Sequence, residues 1–180
     1  MRGRLFILAA AILLLPGSSA EEQKSEPKEL PIIKAQGELQ KAVDFRLPDL
    51  GGERWRLYET EGPVVLLHFW SQYRDNRYDL QLLEKLHRKY RDRGVVILGL
   101  VFSSGTREEL TEYLDELGVS FPTLMTPNRV RLEYDVATFP TTFLLDGDKM
   151  LRYWMYGIMV EEHWDTIIAE LLEDQAEVPR

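Results

Sequence analysis

Apolar residues along this chain follow two rhythms. Pro63-Val64-Val65-Leu66-Leu67-His68-Phe69-Trp70 and Val95 to Phe102 are nearly unbroken apolar runs. Runs of that length predict strands buried on both faces of a sheet. Between them the period lengthens. Leu80, Leu82, Leu83, Leu86 and Tyr90 fall on one side of a helix from about Asp75 to Arg93, with Gly94 as its stop. Thr106-Arg107-Glu108-Glu109 has the spacing of a capping box, in which hydroxyl and carboxylate each satisfy an otherwise unpaired amide. That helix closes at Gly118.

Phe121 to Met125 reads as a short extended segment, and Asn128 to Tyr134 as one or two helical turns. Thr141 to Leu145 and Met150 to Tyr156 flank Asp146-Gly147-Asp148, a hairpin signature. Glu161 to Glu173 is amphipathic, with Trp164, Ile167, Ile168 and Leu171 inward. Upstream, Phe45 to Leu57 alternates around Asp49-Leu50-Gly51-Gly52, a second hairpin. Strands and helices alternate first, and a hairpin and a helix follow. The order predicts an α/β sandwich around a mixed sheet.

The ends differ from this middle. Arg2 and Arg4 precede an apolar run from Leu5 to Leu15, then Pro16-Gly17 and the small residues Ser18-Ser19-Ala20. Residues 1–20 therefore read as a signal peptide. Eleven apolar residues fall short of the ~20 that span a bilayer, so an uncleaved anchor is the lesser alternative. Residues 21–41 read as a flexible linker, 42–175 as the domain and 176–180 as a tail. The expected location is periplasmic or otherwise extracytoplasmic.

Charge and composition narrow the chemistry. Losing the leader removes two arginines and no acids, which takes the formal charge from −8 to −10. So acidic a surface is unsuited to nucleic acid or anionic lipid. The chain has no cysteine, which excludes disulfides, lipidation of a cysteine and thiolate-held metal. His87 and His163 show no ligand spacing, so neither a metal site nor a cofactor is expected.

Several ordered segments resemble one family. Val43-Asp44-Phe45-x-Leu47-Pro48-Asp49-Leu50-x-Gly52, the strand ending in His68-Phe69-Trp70, Gly94-Val95-Val96-Ile97-Leu98-Gly99-Leu100 and Phe139-Pro140-Thr141-Thr142-Phe143 resemble extracytoplasmic thioredoxins of the TlpA/ResA type, which are related to the AhpC/TSA redoxins. The resemblance covers about residues 43–174. It implies a thioredoxin-like three-layer sandwich, a central mixed sheet flanked by helices with an added N-terminal hairpin, and a cis peptide bond before Pro140. It also implies a Trp-x-x-x-Cys-x-x-Cys site after the first buried strand. Trp70 and Tyr73 match its aromatic positions, but Arg74 and Arg77 stand at both cysteine positions. A dithiol reaction needs a thiolate to attack and a second thiol to resolve the mixed disulfide.

The candidate site is accordingly a binding groove of Trp70, Tyr73, Arg74, Arg77, Thr138, Phe139 and Pro140, with no catalytic residue. In such folds the backbone before the proline pairs with an extended peptide, so the implied partner is a segment of another envelope protein. Arg74 and Arg77 at a helix start could meet a carboxylate, or could be solvated replacements, with Asp75 and Asp79 offsetting them. His68 occupies the place of a buried acid and is expected to be a neutral, hydrogen-bonded core residue. The basic run from Lys85 to Arg93 reads as a solvated face, or as a surface for an acidic partner. Tyr153, Trp154 and Tyr156 suit either core or interface. Two rival functions stay open: a thiol–disulfide oxidoreductase or antioxidant, and a structural subunit docking through its aromatic face.

Overall fold

A computed structural model describes residues 32–176. The expected signal peptide, the linker up to residue 31 and the tail beyond Ala176 lie outside the described residues. The strands are β1 (Ile32–Lys34), β2 (Arg46–Pro48), β3 (Arg54–Arg56), β4 (Val64–Ser71), β5 (Val95–Phe102), β6 (Thr123–Met125), β7 (Thr141–Asp146) and β8 (Leu151–Tyr156). The helices are α1 (Arg77–Tyr90), α2 (Arg107–Leu117), α3 (Asn128–Glu133) and α4 (Glu161–Ala176).

Six strands form one mixed sheet in the order β1-β8-β7-β4-β5-β6. β4 lies at its centre, parallel to β5 on one side and antiparallel to β7 on the other. Its side chains alternate between two cores. Val64, Leu66 and Trp70 join Leu80, Leu83 and Leu86 of α1 and Ile168 and Leu171 of α4. Val65, Leu67 and Phe69 face Phe45, Leu47 and Leu57 of the N-terminal segment and Val130 of α3. Both faces are covered, which is why β4 reads as continuous apolar sequence. This is the thioredoxin-like sandwich.

Helix ends follow the sequence closely. The Thr106 hydroxyl accepts from the Glu109 amide and the Glu109 carboxylate accepts from the Thr106 amide, completing the capping box. Gly94 and Gly118 stop their segments in the left-handed conformation at φ of 80° and 69°. The β2–β3 hairpin is present, and its turn is tied to the sheet edge by the Leu50 amide on the Thr123 carbonyl. That contact shields the short edge strand β6.

The linker expectation needs correction over its last part. Ile32, Ile33 and Lys34 pair with Met155, Trp154 and Tyr153 of β8, forming an edge strand rather than free chain. Lys34 then binds Glu170 of α4. Two β-branched residues suffice to extend an open sheet edge, but three residues are too short to display an alternation. No helix among the described residues is long and apolar enough to cross a membrane.

Candidate functional site

β4 delivers the chain into a tight loop, Gln72 to Asn76, at the start of α1. Its end pins that loop. The Ser71 carbonyl accepts from the Arg74 amide at 3.2 Å and from the Asn76 side chain at 2.7 Å. The same Asn76 amide group reaches the Arg74 carbonyl at 2.7 Å. Asp75 accepts from the Arg77 amide at 3.2 Å, satisfying one of the unpaired donors at the helix start. Asp75 therefore offsets the arginines' position through the backbone.

The two arginines behave differently. Arg74 turns across the loop, and its guanidinium donates to the Phe139 carbonyl at 2.5 Å. The Phe139–Pro140 bond is cis, as the resemblance implied. Arg77 stays exposed and has no ion pair among the described residues. Around them, Thr138 is exposed and its carbonyl accepts from the Thr141 hydroxyl. Phe139 packs on Phe102 at 5.2 Å, and the Gly157 amide donates to the Pro140 carbonyl at 2.8 Å.

Tyr73 is 70% exposed, with its hydroxyl bonded to Ser104 in the β5–α2 loop. The groove expectation fails at Trp70, which has no solvent exposure. A side chain on the central strand points into the core, and this one packs beside Tyr113 of α2 at 6.2 Å. The remaining six residues reach the surface, and the structure joins two of them directly, Arg74 and Phe139.

Beneath the loop lies a buried polar group that sequence reasoning only half located. His68 Nδ1 is 2.9 Å from the Thr142 hydroxyl. Its Nε2 is 3.4 Å from an Asp79 carboxylate oxygen, in a geometry short of a hydrogen bond. Asp79 is buried, and neither of its oxygens accepts a hydrogen bond. It was expected to offset the arginines but faces inward instead. The signal was present, since Asp79 shares the helical stripe of Leu83, Leu86 and Tyr90.

The basic run is largely paired within the molecule. Lys85 binds Glu161 and Lys89 binds Asp165, both at 2.6 Å, which ties α1 to α4. Arg88 binds the buried Glu84 at 2.6 Å. Burial pushes His87 below its ordinary range, the site of no visible chemistry. Among the described residues, no three histidines or acids stand together to hold a metal ion.

Comparison with known proteins agrees with this scaffold. The chain is 28% identical over 130 residues to the thioredoxin-like protein YneN of Bacillus subtilis, covering 71% of this chain and 76% of that one. It is 30% identical over 177 residues to the thiol:disulfide interchange protein DsbE of Vibrio cholerae, covering 94% and 93%. Among solved structures, a secreted thiol-disulfide isomerase from Corynebacterium glutamicum superposes with a TM-score of 0.72 at 18% identity, over 82% of this chain and 95% of that one. A thiol:disulfide interchange protein DsbE from Chlorobium tepidum gives 0.69 at 22% identity, over 77% and 99%. The sequence pattern of the AhpC/TSA family matches residues 39–154, well over half of the chain. With the fold, the cis-proline loop and these relatives in agreement, the chain belongs to the AhpC/TSA family of thioredoxin-like proteins.

Proposed function

We propose that this chain is an exported, redox-inactive member of its family that holds an extended segment of another envelope protein beside Arg74, Arg77 and the Pro140 loop. The reading is carried by where apolar side chains stay exposed. Tyr73 and Tyr78 are 70% and 58% exposed and flank the two arginines in the chain. Ile158 and Val160 are 47% and 43% exposed on the segment whose first residue, Gly157, is bonded to the Pro140 carbonyl. Exposed apolar groups gathered around a few directional polar groups are the composition of a recognition surface. Redox inactivity is supported by the absence of any sulfur nucleophile. Export is supported by the leader-like first twenty residues and by a relative described as secreted.

The test is photocrosslinking in the envelope of the source cell, with the reactive group placed at Tyr78. A discrete crosslinked partner is expected, and Arg74→Glu together with Arg77→Glu should reduce its yield by about tenfold, the effect of losing charge-assisted contacts. Unchanged yield in the folded double variant rejects the groove.

A further inference from the structure

On the face of the sheet that α1 and α4 do not cover, a cavity of about 300 Å³ opens between β7, β8 and the end of α3. Four aromatic side chains line it, Tyr134, Phe143, Trp154 and Tyr156, together with the amides of Gln36 and Gln40. A β-bulge builds it. Leu144 pairs with Tyr153 and Leu145 with Leu151, so Arg152 is an extra residue in β8. The bulge turns Leu151 to the same face as Trp154, despite their opposite parity, and Leu151 becomes part of the lining. The edge strand makes a second detour above it. Ala35 and Gln40 bond to the adjacent residues Arg152 and Leu151, so the four residues between them loop outward.

The rings are arranged to leave room. Tyr134 is locked by its hydroxyl on the Val43 carbonyl at 2.6 Å and packs against Phe143 at 5.5 Å, with the planes 60° apart. Phe143 and Trp154 are direct cross-strand partners. Among the described residues, however, neither Trp154 nor Tyr156 makes a ring contact with Phe143 or Tyr134. All four rings line the cavity. The Trp154 indole N–H and the Tyr156 hydroxyl also have no hydrogen-bond partner among the described residues.

Charge sets the ligand class. The cavity is lined by Glu38 and Asp135 and by no lysine or arginine. Neither carboxylate has an ion pair or a hydrogen bond among the described residues. Asp135 is moreover one of two non-glycine residues with positive φ among the described residues, at 50°, which holds it at the rim after α3. Aromatic faces attract cations through their ring quadrupoles, and two uncompensated carboxylates add to that attraction. An anion would be repelled, and a metal ion would find too few oxygen ligands among the rings. The volume stands at the small end of organic-ligand sites, which run from about 300 to 1,000 Å³.

We infer that this cavity is a binding site for a small organic cation of the alkylammonium class, in which the rings take the methylated head and Glu38 and Asp135 supply the counter-charge. The site is separate from the Arg74 groove and does not depend on that reading. The trimethylammonium head exists both as a free solute and as a lipid headgroup, so two arms are needed.

The first arm titrates the purified protein with choline by calorimetry, alongside its neutral isostere 3,3-dimethylbutan-1-ol. Choline is expected to bind at least about tenfold more tightly than the isostere, the discrimination that cation–π and carboxylate contacts provide. Trp154→Ala should abolish the difference. Asp135→Asn keeps the shape and tolerates the same backbone, and should weaken choline severalfold without loss of folding. The second arm is cosedimentation with phosphatidylcholine vesicles against phosphatidylglycerol vesicles. Choline binding with no vesicle binding assigns the site to a free cation, and retention on phosphatidylcholine alone assigns it to the headgroup. Equal affinity for choline and the neutral isostere, or no binding in either arm by folded protein, overturns the inference.

Discussion

Arg74 and Phe139 are 65 positions apart in sequence and are joined by a single hydrogen bond, from guanidinium to the carbonyl ahead of the cis-proline. A side chain thus occupies that carbonyl from across the loop. The contact is at the surface, where water competes for both groups, so its net contribution to stability is small. Arg74→Ala is expected to lower unfolding free energy by less than about 1 kcal/mol, measured by urea denaturation. The same variant should leave the backbone ahead of Pro140 more mobile, visible as faster amide exchange at Thr138 and Phe139. A loss of several kcal/mol would show that Arg74 is a structural strut and no part of a recognition surface.

The pair below it has the opposite character. His68 and Asp79 are both buried, and among the described residues the imidazole is the one ion-pair contact of Asp79, whose oxygens accept no hydrogen bond. His68→Leu should leave the Asp79 side chain without its polar neighbour in an apolar core, costing about 1–3 kcal/mol. The double variant His68→Leu/Asp79→Leu removes the stranded group as well and should recover a large part of that loss. Urea denaturation of the two single variants and the double variant gives the coupling directly. Additive losses would mean that the two residues do not interact.

Much of this architecture was legible because its signals are local. The capping box at Thr106, the stops at Gly94 and Gly118 and the inward stripe of Trp164, Ile167, Ile168 and Leu171 each depend on residues within a few positions of one another. Trp70 was misplaced for the reverse reason. Motif position puts it beside the loop, but which way a strand side chain points depends on the sheet's register, and here that register carries it into the core. The Arg74 contact and the aromatic cavity were not legible at all. The first needs two segments brought together by β4–β7 pairing, and the second needs a bulge at Arg152 that no residue type announces.

Glu84 gives a pH-dependent test of how α1 is held to the turn after α2. Burial alone would raise its pKa. The Ser120 amide at 2.7 Å, the Ser120 hydroxyl at 2.8 Å and the Arg88 guanidinium outweigh burial and hold it below the ordinary 4.5. The folded state therefore binds this proton less readily than the unfolded chain. The contribution is complete above the ordinary glutamate range and is lost as pH falls through the lowered folded value. Glu84→Gln should be less stable than the parent at neutral pH, and the gap should narrow steadily below about pH 4.5. A gap independent of pH would assign the residue's contribution to shape alone.

Restoring sulfur tests whether the scaffold around the arginines still suits an extended thiol substrate. Position 74 lies just ahead of α1 and beside the Phe139 carbonyl, and position 77 opens the helix. A helix N-terminus stabilises a thiolate through its unpaired amides and dipole, so cysteines placed there start with the right electrostatics. Arg74→Cys together with Arg77→Cys should reduce insulin measurably faster than the parent, which should stay at the buffer background. Each single variant should also stay near background, because one thiol can form a mixed disulfide but cannot resolve it. A folded double variant with no activity would show that the surroundings, and not only the two side chains, have left the redox reaction behind. Activity in the parent protein would overturn the redox-inactive reading and would require a group other than a cysteine thiol, since the chain has none.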